Sequence, residues 1–170
     1  MGKEDSSTES SRSRATTVDD IVVVNREGPW HSKSGGRLEV FLALPRGTLE
    51  KFLDYSNPAF DAIPEDIRGL RTYTVSDVPK GSVGAKEWHK ARTEFLTVTR
   101  GSVILDCVDM NGNEREFTLN GTAGVIVPPN IFHTYQSLED HTNIQVIANT
   151  LFVPDNPLTH DTFFIDTFEK

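Results

Sequence analysis

Between Gly81 and Gly101 the chain reads GSVGAKEWHKARTEFLTVTRG, and this stretch constrains the fold more than any other. Glu87 and His89 stand two apart, so on a strand their side chains share one face. Glu94 opens the run Glu94 to Arg100, which alternates only loosely but is rich in residues that favour strands. Gly101 closes that run with a turn. Further on, Pro128-Pro129-Asn130-Ile131-Phe132-His133 supplies a second imidazole. Two imidazoles and two carboxylates on β-structure can converge on a metal or share proton-transfer work. A hairpin after Lys90 is expected to bring Glu94 back beside Glu87 and His89, with His133 arriving on the strand after the double proline. No nearby arginine is expected to compensate the two carboxylates, so burial would require a cation or a proton to neutralise them.

The remaining chain reads as many short strands. Ile21 to Val24, Arg37 to Ala43, Arg71 to Val75, Ser102 to Val108, Glu114 to Leu119, Gly124 to Val127, Asn143 to Phe152 and Thr162 to Ile165 are expected strands. Asn111-Gly112-Asn113 is a strong hairpin signal and Asn120-Gly121 marks another turn. Thr48 to Leu53 reads as one or two helical turns capped by Thr48, and Asn57 to Pro64 as loop. Regular turn spacing and the scarcity of helix point to an all-β barrel or sandwich. Residues 1–17 hold Ser, Thr, Glu and Arg with almost nothing apolar to bury, so a disordered tail is expected there. The 170 residues suit one domain: an extension over 18–69 that packs on a barrel over 70–170.

Net charge is −8, without a basic stripe, which argues against nucleic acid as a partner. The single cysteine, Cys107, cannot form an internal disulfide and reads as a small core residue. No apolar run reaches the length of a membrane span and no apolar signal segment opens the chain, so a soluble, cytoplasmic protein is expected. Tyr135 lies two residues after His133 and can relay a proton from the same face. Arg71 and Tyr73 share a strand face that could meet a phosphate or sugar, although a solvated outer face is the simpler expectation for Arg71. Lys86, Lys90 and Arg92 read as a solvated charge run beside the motif. Trp88 should pack on the side of its strand opposite Glu87 and His89. His31, His141 and His160 have no partner at ligand spacing and receive no role.

The spacing from Gly81 through Glu87, His89 and Glu94 to Gly101 resembles the first cupin motif, with Glu87 where its first histidine usually stands. Pro128-x-Asn130-x-x-His133 resembles the second, with Asn130 in place of a glycine. Leu70 to Gly81 is similar to the lead-in strand of dTDP-4-keto-6-deoxyglucose 3,4-ketoisomerases, whose Arg-Gly-x-His-x-His-Lys falls on Gly84 to Lys90. The aromatic Trp88 and the tail Ala148 to Pro157 resemble the cupin domain of capsule-sugar enzymes.

The resemblance implies a single-domain jelly-roll barrel, the double-stranded β-helix, and a homodimer. It also implies acid/base enolisation of a keto-sugar or sugar nucleotide, as a keto-isomerase or epimerase, with His89, Glu87 and Tyr135 as catalytic residues. Glu87, His89, Glu94 and His133 could hold Zn, Fe, Mn or Ni; no organic cofactor is expected. A metal-dependent cupin dioxygenase or lyase, and a non-catalytic cupin that binds a small molecule, are the alternatives.

Overall fold

The computed structural model describes residues 14–168, so the expected tail over 1–17 lies almost wholly outside the described residues. The strands in chain order are β1 (Val22–Asn25), β2 (Glu27–His31), β3 (Arg37–Val40), β4 (Arg68–Val78), β5 (Val83–Trp88), β6 (Glu94–Arg100), β7 (Val103–Asp109), β8 (Glu114–Leu119), β9 (Ala123–Val127), β10 (Ile131–Ser137), β11 (Thr142–Thr150) and β12 (Phe163–Phe164). The α-helix among the described residues, α1, spans Arg46–Phe52. No helix among them is long and apolar enough to cross a membrane.

Two five-stranded sheets carry the fold, in the orders β1-β9-β6-β11-β4 and β12-β5-β10-β7-β8, and β2 with β3 forms a separate ribbon. Every strand pair is antiparallel. Alternation explains the main core: β7 buries Val103, Leu105, Cys107 and Asp109 and turns the residues between them outward. Val98, Val125, Ile131, Ile144 and Val146 complete the layer between the sheets. This is the expected all-β jelly roll, with its sheets facing each other rather than closing into one ring.

Strand β6 alternates poorly because both of its faces are covered. Glu94 to Val98 are all buried. Leu96 and Val98 join the layer between the sheets, while Phe95 packs on the outer side against Phe52 of α1, Val24 and Ile126.

Three local expectations need correction. Helix α1 begins at Arg46 after Pro45, so Thr48 lies inside it and caps nothing. Its N-terminus follows the geometry proline imposes, with fixed φ and no N–H to satisfy. Pro58–Ala62, expected as loop, is a 3-10 helix capped by the Asn57 side chain. Strand β2 (Glu27–His31) gave no strand signal, since Gly28 and Pro29 interrupt it and it pairs only with β3.

The Asn111-Gly112 hairpin is tied to the N-terminal arm by one buried carboxylate. Asp109 accepts the N–H of Asn111 at 2.9 Å and of Asn113 at 3.0 Å, the Asn113 side-chain amide at 2.9 Å and the N–H of Val18 at 3.3 Å. Asp109→Ala strands these donors and should cost about 1.5–3 kcal/mol of unfolding free energy. An unchanged urea midpoint would contradict this role for Asp109.

Candidate active site

Glu87, His89, Glu94 and His133 each present one donor atom, and these atoms lie within 4.8 Å of one another. Strands from both sheets bring them together. Glu87 on β5 is the cross-strand partner of His133 on β10. A bulge interrupts that pair of strands between His133 and Thr134, and Ala85 and Lys86 adopt φ of 60° and 63° beside it. The extra residue turns Lys86 out to solvent and leaves Ala85 and Glu87 lining the same cavity.

Glu94 arrives differently from the expected hairpin. Strands β5 and β6 belong to opposite sheets, and residues 89–93 cross between them. His89 therefore lies one residue beyond the end of β5. Backbone donors in such a crossing have no ladder to join. The Asp161 carboxylate accepts the N–H of Lys90 at 3.0 Å, of Ala91 at 3.0 Å and of Arg92 at 2.7 Å.

Arg92 is the second correction. Expected in a solvated charge run, it is 3% exposed and places Nη1 3.1 Å from Glu94 Oε1. Its Nη2 donates to Thr162 Oγ1 at 3.2 Å and to the His160 carbonyl. The site thus has a compensating arginine. His160, left without a role, supplies that carbonyl, and its ring stacks on Phe152 at 4.7 Å. His31 and His141 are exposed and lie outside the cluster. Lys86 and Lys90 are exposed as expected, and Trp88 packs against Phe163 and Phe168 on the side away from the cluster.

The two oxygens of Glu94 have different surroundings. Oε1 receives Arg92 and, at 3.4 Å, the Tyr73 hydroxyl. Oε2 faces His89 Nε2 at 3.4 Å and His133 Nε2 at 3.7 Å. Burial alone would raise the Glu94 pKa; the charges of His89, then Arg92 and His133, outweigh it and hold the carboxyl well below the usual range. Burial and the neighbouring His89 push His133 down, against the pull of Glu94 and Glu87. Burial, reinforced by Glu94, pushes the Tyr73 phenol up.

The donor set fits a cation. His89 Nδ1 lies 2.6 Å from the Asp161 carbonyl, and His133 Nδ1 lies 3.2 Å from that of Ile131. Each Nδ1 can therefore donate to a carbonyl, and in the neutral form of each ring Nε2 turns a lone pair toward Glu94 Oε2. His89 Nε2 is buried without a hydrogen-bond partner among the described residues. Ligands held at about 2.0–2.2 Å around a tetrahedral ion stand roughly 3.3–3.6 Å apart, close to the 3.4 and 3.7 Å that separate Glu94 Oε2 from the two Nε2 atoms. A shared proton would satisfy part of the same set.

Two cavities meet at this cluster. The inner one, about 110 Å³, is lined by Glu87, Glu94, His133 and Tyr135 among apolar neighbours. The outer one, about 350 Å³, is lined by Arg71, Tyr73, Glu87, Arg92, Phe152 and Thr162. Tyr73 and Glu87 belong to both, so they form the wall between them. Arg71 is thus not on a solvated outer face: its guanidinium lies 5.0 Å from the Tyr73 ring and 5.2 Å from Phe152, and it makes no ion pair among the described residues. Burial, then Arg92, lowers its pKa. Tyr135 sits across from Gly84, where a Cβ would come within 2.2 Å of its hydroxyl, so only glycine fits there. Asp161 and the buried place of Arg92 were missed from the sequence; Asp161 lies 72 residues beyond His89 and no spacing links them.

Residues 45–168 match the family model described as WxcM-like, C-terminal (FdtA). A 3,4-ketoisomerase from Helicobacter canadensis superposes with a TM-score of 0.60 at 17% identity, over 88% of this chain and 95% of that one. The sugar 3,4-ketoisomerase QdtA from Thermoanaerobacterium thermosaccharolyticum, in complex with TDP, gives 0.60 at 18%, over 89% and 93%. The TDP-quinovose 3,4-ketoisomerase WlaRB from Campylobacter jejuni gives 0.61 at 16%, over 89% and 98%. These likenesses establish the cupin fold. No curated protein matches the chain by sequence.

Two outcomes follow for protein freed of metal by chelator. Arg92→Met leaves Glu94 buried and uncompensated, and should cost about 3–5 kcal/mol in denaturant unfolding. A loss within error of zero would sink the pairing as a structural requirement. Glu94 and His133 both have pKa values below their unfolded values, so each favours the fold above its unfolded pKa and loses that contribution as pH falls. Stability should therefore decline below about pH 6.5 as the unfolded histidine binds its proton, and more steeply below about pH 4.3. A stability that stays level or rises from pH 7 to pH 5 would contradict this.

Proposed function

Since the chain belongs to the WxcM-like, C-terminal (FdtA) family, we propose that it is a cupin enzyme that moves protons on a keto-sugar carried by a nucleotide. The observation that carries this reading is the meeting of an inner cavity lined by Glu87, Glu94, His133 and Tyr135 with an outer pocket holding an unpaired Arg71. The likeness to sugar 3,4-ketoisomerases, one of them bound to TDP, supports it.

In such a reaction a base removes the proton from the carbon beside the carbonyl, giving an enolate. A proton returned at the former carbonyl carbon, with the neighbouring hydroxyl giving up its proton and the former carbonyl oxygen gaining one, moves the ketone by one position with no net oxidation. Returned to the other face of the original carbon, it inverts the centre instead. Glu87, on the wall between the cavities, is the base in this reading, and Tyr135 donates or relays the returning proton. Burial and the charge of Glu87 raise the Tyr135 pKa, which keeps the phenol protonated and able to donate. Arg71 offers an oxyanion of the substrate a guanidinium held between two rings, and Phe152 offers an apolar face.

His89, Glu94 and His133 would hold a divalent cation, with Glu87 able to complete the set. Such an ion supplies charge stabilisation for an enolate oxygen. The unpartnered Nε2 of His89 supports a second reading as well, in which no ion binds and His89 is the base.

Residues 18–69 are read here as an extension of the 70–170 barrel. The exposed Trp30–Leu38 pair on the β2–β3 ribbon supports a homodimer built through that extension. A monomer by light scattering at micromolar concentration would sink the dimer.

The test of the activity is proton exchange. In D2O, dTDP-4-keto-6-deoxyglucose incubated with the protein should take up deuterium beside its carbonyl, detected by NMR. Glu87→Gln should slow the exchange by about 100-fold or more, and Tyr135→Phe should slow turnover while leaving bound metal unchanged. Elemental analysis of protein purified without chelator separates the readings. Stoichiometric zinc, iron, manganese or nickel, lost in His133→Ala, supports the ion; its absence, with exchange abolished in His89→Ala, supports the imidazole base. Metal without exchange on any keto-sugar would favour a metal-dependent cupin dioxygenase or lyase.

A further inference from the structure

We propose that Asp161 is the positioning residue of the site: it fixes the ring of His89 so that Nε2 presents a lone pair to the cluster. This rests on the reading that His89 Nε2 works at the site, as a ligand or as a base.

Asp161 holds His89 through two parts of itself. Its carbonyl oxygen lies 2.6 Å from Nδ1 and accepts the Nδ1–H hydrogen bond, which in the neutral ring leaves the lone pair on Nε2. Its carboxylate binds the consecutive N–H groups of Lys90, Ala91 and Arg92, so the chain leaving His89 cannot swing away. One residue thereby sets both the tautomer of the ring and the backbone that carries it. The same turn governs Glu94. Arg92, whose N–H is the shortest of the three contacts to Asp161, sends its guanidinium to Glu94 Oε1. The residues flanking Asp161 hold that guanidinium from the other side, through the His160 carbonyl and Thr162 Oγ1.

The backbone of Asp161 shows what this arrangement requires. Its φ is +33°, in the left-handed region that Asp, Asn and Gly enter most readily. That conformation lets carbonyl and carboxylate point at the same crossing segment. Asp161 touches neither cavity, so its action is exerted through His89 and Arg92.

The φ value selects the variants. Asp161→Gly removes the carboxylate without backbone strain, and Asp161→Asn keeps one acceptor. In chelator-treated wild-type protein at pH 8, long-range proton–nitrogen NMR should find the His89 proton on Nδ1. A proton on Nε2 overturns the proposal, and this measurement needs no variant. Asp161→Gly keeps the carbonyl but frees the crossing segment that carries His89, so the Nδ1 contact should loosen and the Nε2–H tautomer become populated; Co2+ binding should weaken by about 10–100-fold and the visible spectrum of bound Co2+ should change. Asp161→Asn should fall between it and wild type. A merely structural role would lower the melting temperature and leave the tautomer and the Co2+ spectrum as they were, which also overturns the proposal. Wild-type protein that takes up no Co2+ overturns the ion reading alone; the positioning role is then decided by the tautomer in wild type and in Asp161→Gly.

Discussion

A carboxylate with almost no access to water lies at the centre of the site, and the surrounding structure is shaped by the need to keep it charged there. Glu94 is 1% exposed. An ion buried without compensation loses several kcal/mol of hydration. Arg92 and Tyr73 answer on one oxygen, which leaves the other for the imidazoles. Arg92 would itself be a buried charge, and its Nη2 is met by the His160 carbonyl and Thr162 Oγ1 in the C-terminal segment, while its Nε has no partner among the described residues. Compensation thus propagates outward from Glu94 to the C-terminal segment, and that segment is part of the site although it contributes no donor to the cluster.

The same segment solves a topological problem. Glu87 and His133 belong to one sheet and Glu94 to the other. Cross-strand register can place His133 against Glu87, but no ladder joins either to Glu94. Residues 89–93 have to leave one sheet and enter the other within a few positions, and a segment that does this leaves N–H groups without strand partners. A carboxylate that accepts three of them makes the sharp crossing affordable. The pairing of β12 with β5 and the packing of Trp88 against Phe163 and Phe168 hold Asp161 at that place.

Much of the fold was legible in the sequence because period-2 alternation and Asn-Gly turns are local signals. β7, β8 and β9 lie within a residue or so of where the pattern put them. The loose alternation of Glu94 to Arg100 has a cause the sequence hides: α1 covers the outer face, so Phe95 is buried as well as Leu96. The four cluster residues were legible through their spacing and their resemblance to the cupin motifs. Their route was not, because a short polar break between two strands reads alike whether the chain turns back or crosses to the other sheet. Arg92 and Arg71 were misread for a related reason. A charged residue is expected in water, and only partners distant in the chain reveal otherwise. Asp161 carries no local signal, since its φ and its three N–H contacts exist only once the sheets have assembled.

The two carboxylates of the cluster are unequal, and this bears on chemistry more than their shared presence does. Glu94 is spent on Arg92, Tyr73 and the imidazoles. Glu87 makes no ion pair and no hydrogen bond among the described residues, is only partly buried, and faces both cavities. A carboxylate where the cupin motif usually has an imidazole therefore places an uncommitted negative charge on the wall where a ligand would lie. Arg71 lines the same outer pocket with an uncommitted positive charge. A ligand lying in that pocket with its oxyanion on Arg71 and its acidic C–H toward Glu87 satisfies both charges. Turned the other way, it sets an anion against a carboxylate and leaves the guanidinium unpaired, at a cost of several kcal/mol in a partly dry pocket. On the proposed reading, the orientation of a ligand would depend on two single charges that line one pocket, and the identity of residue 87 decides one of them.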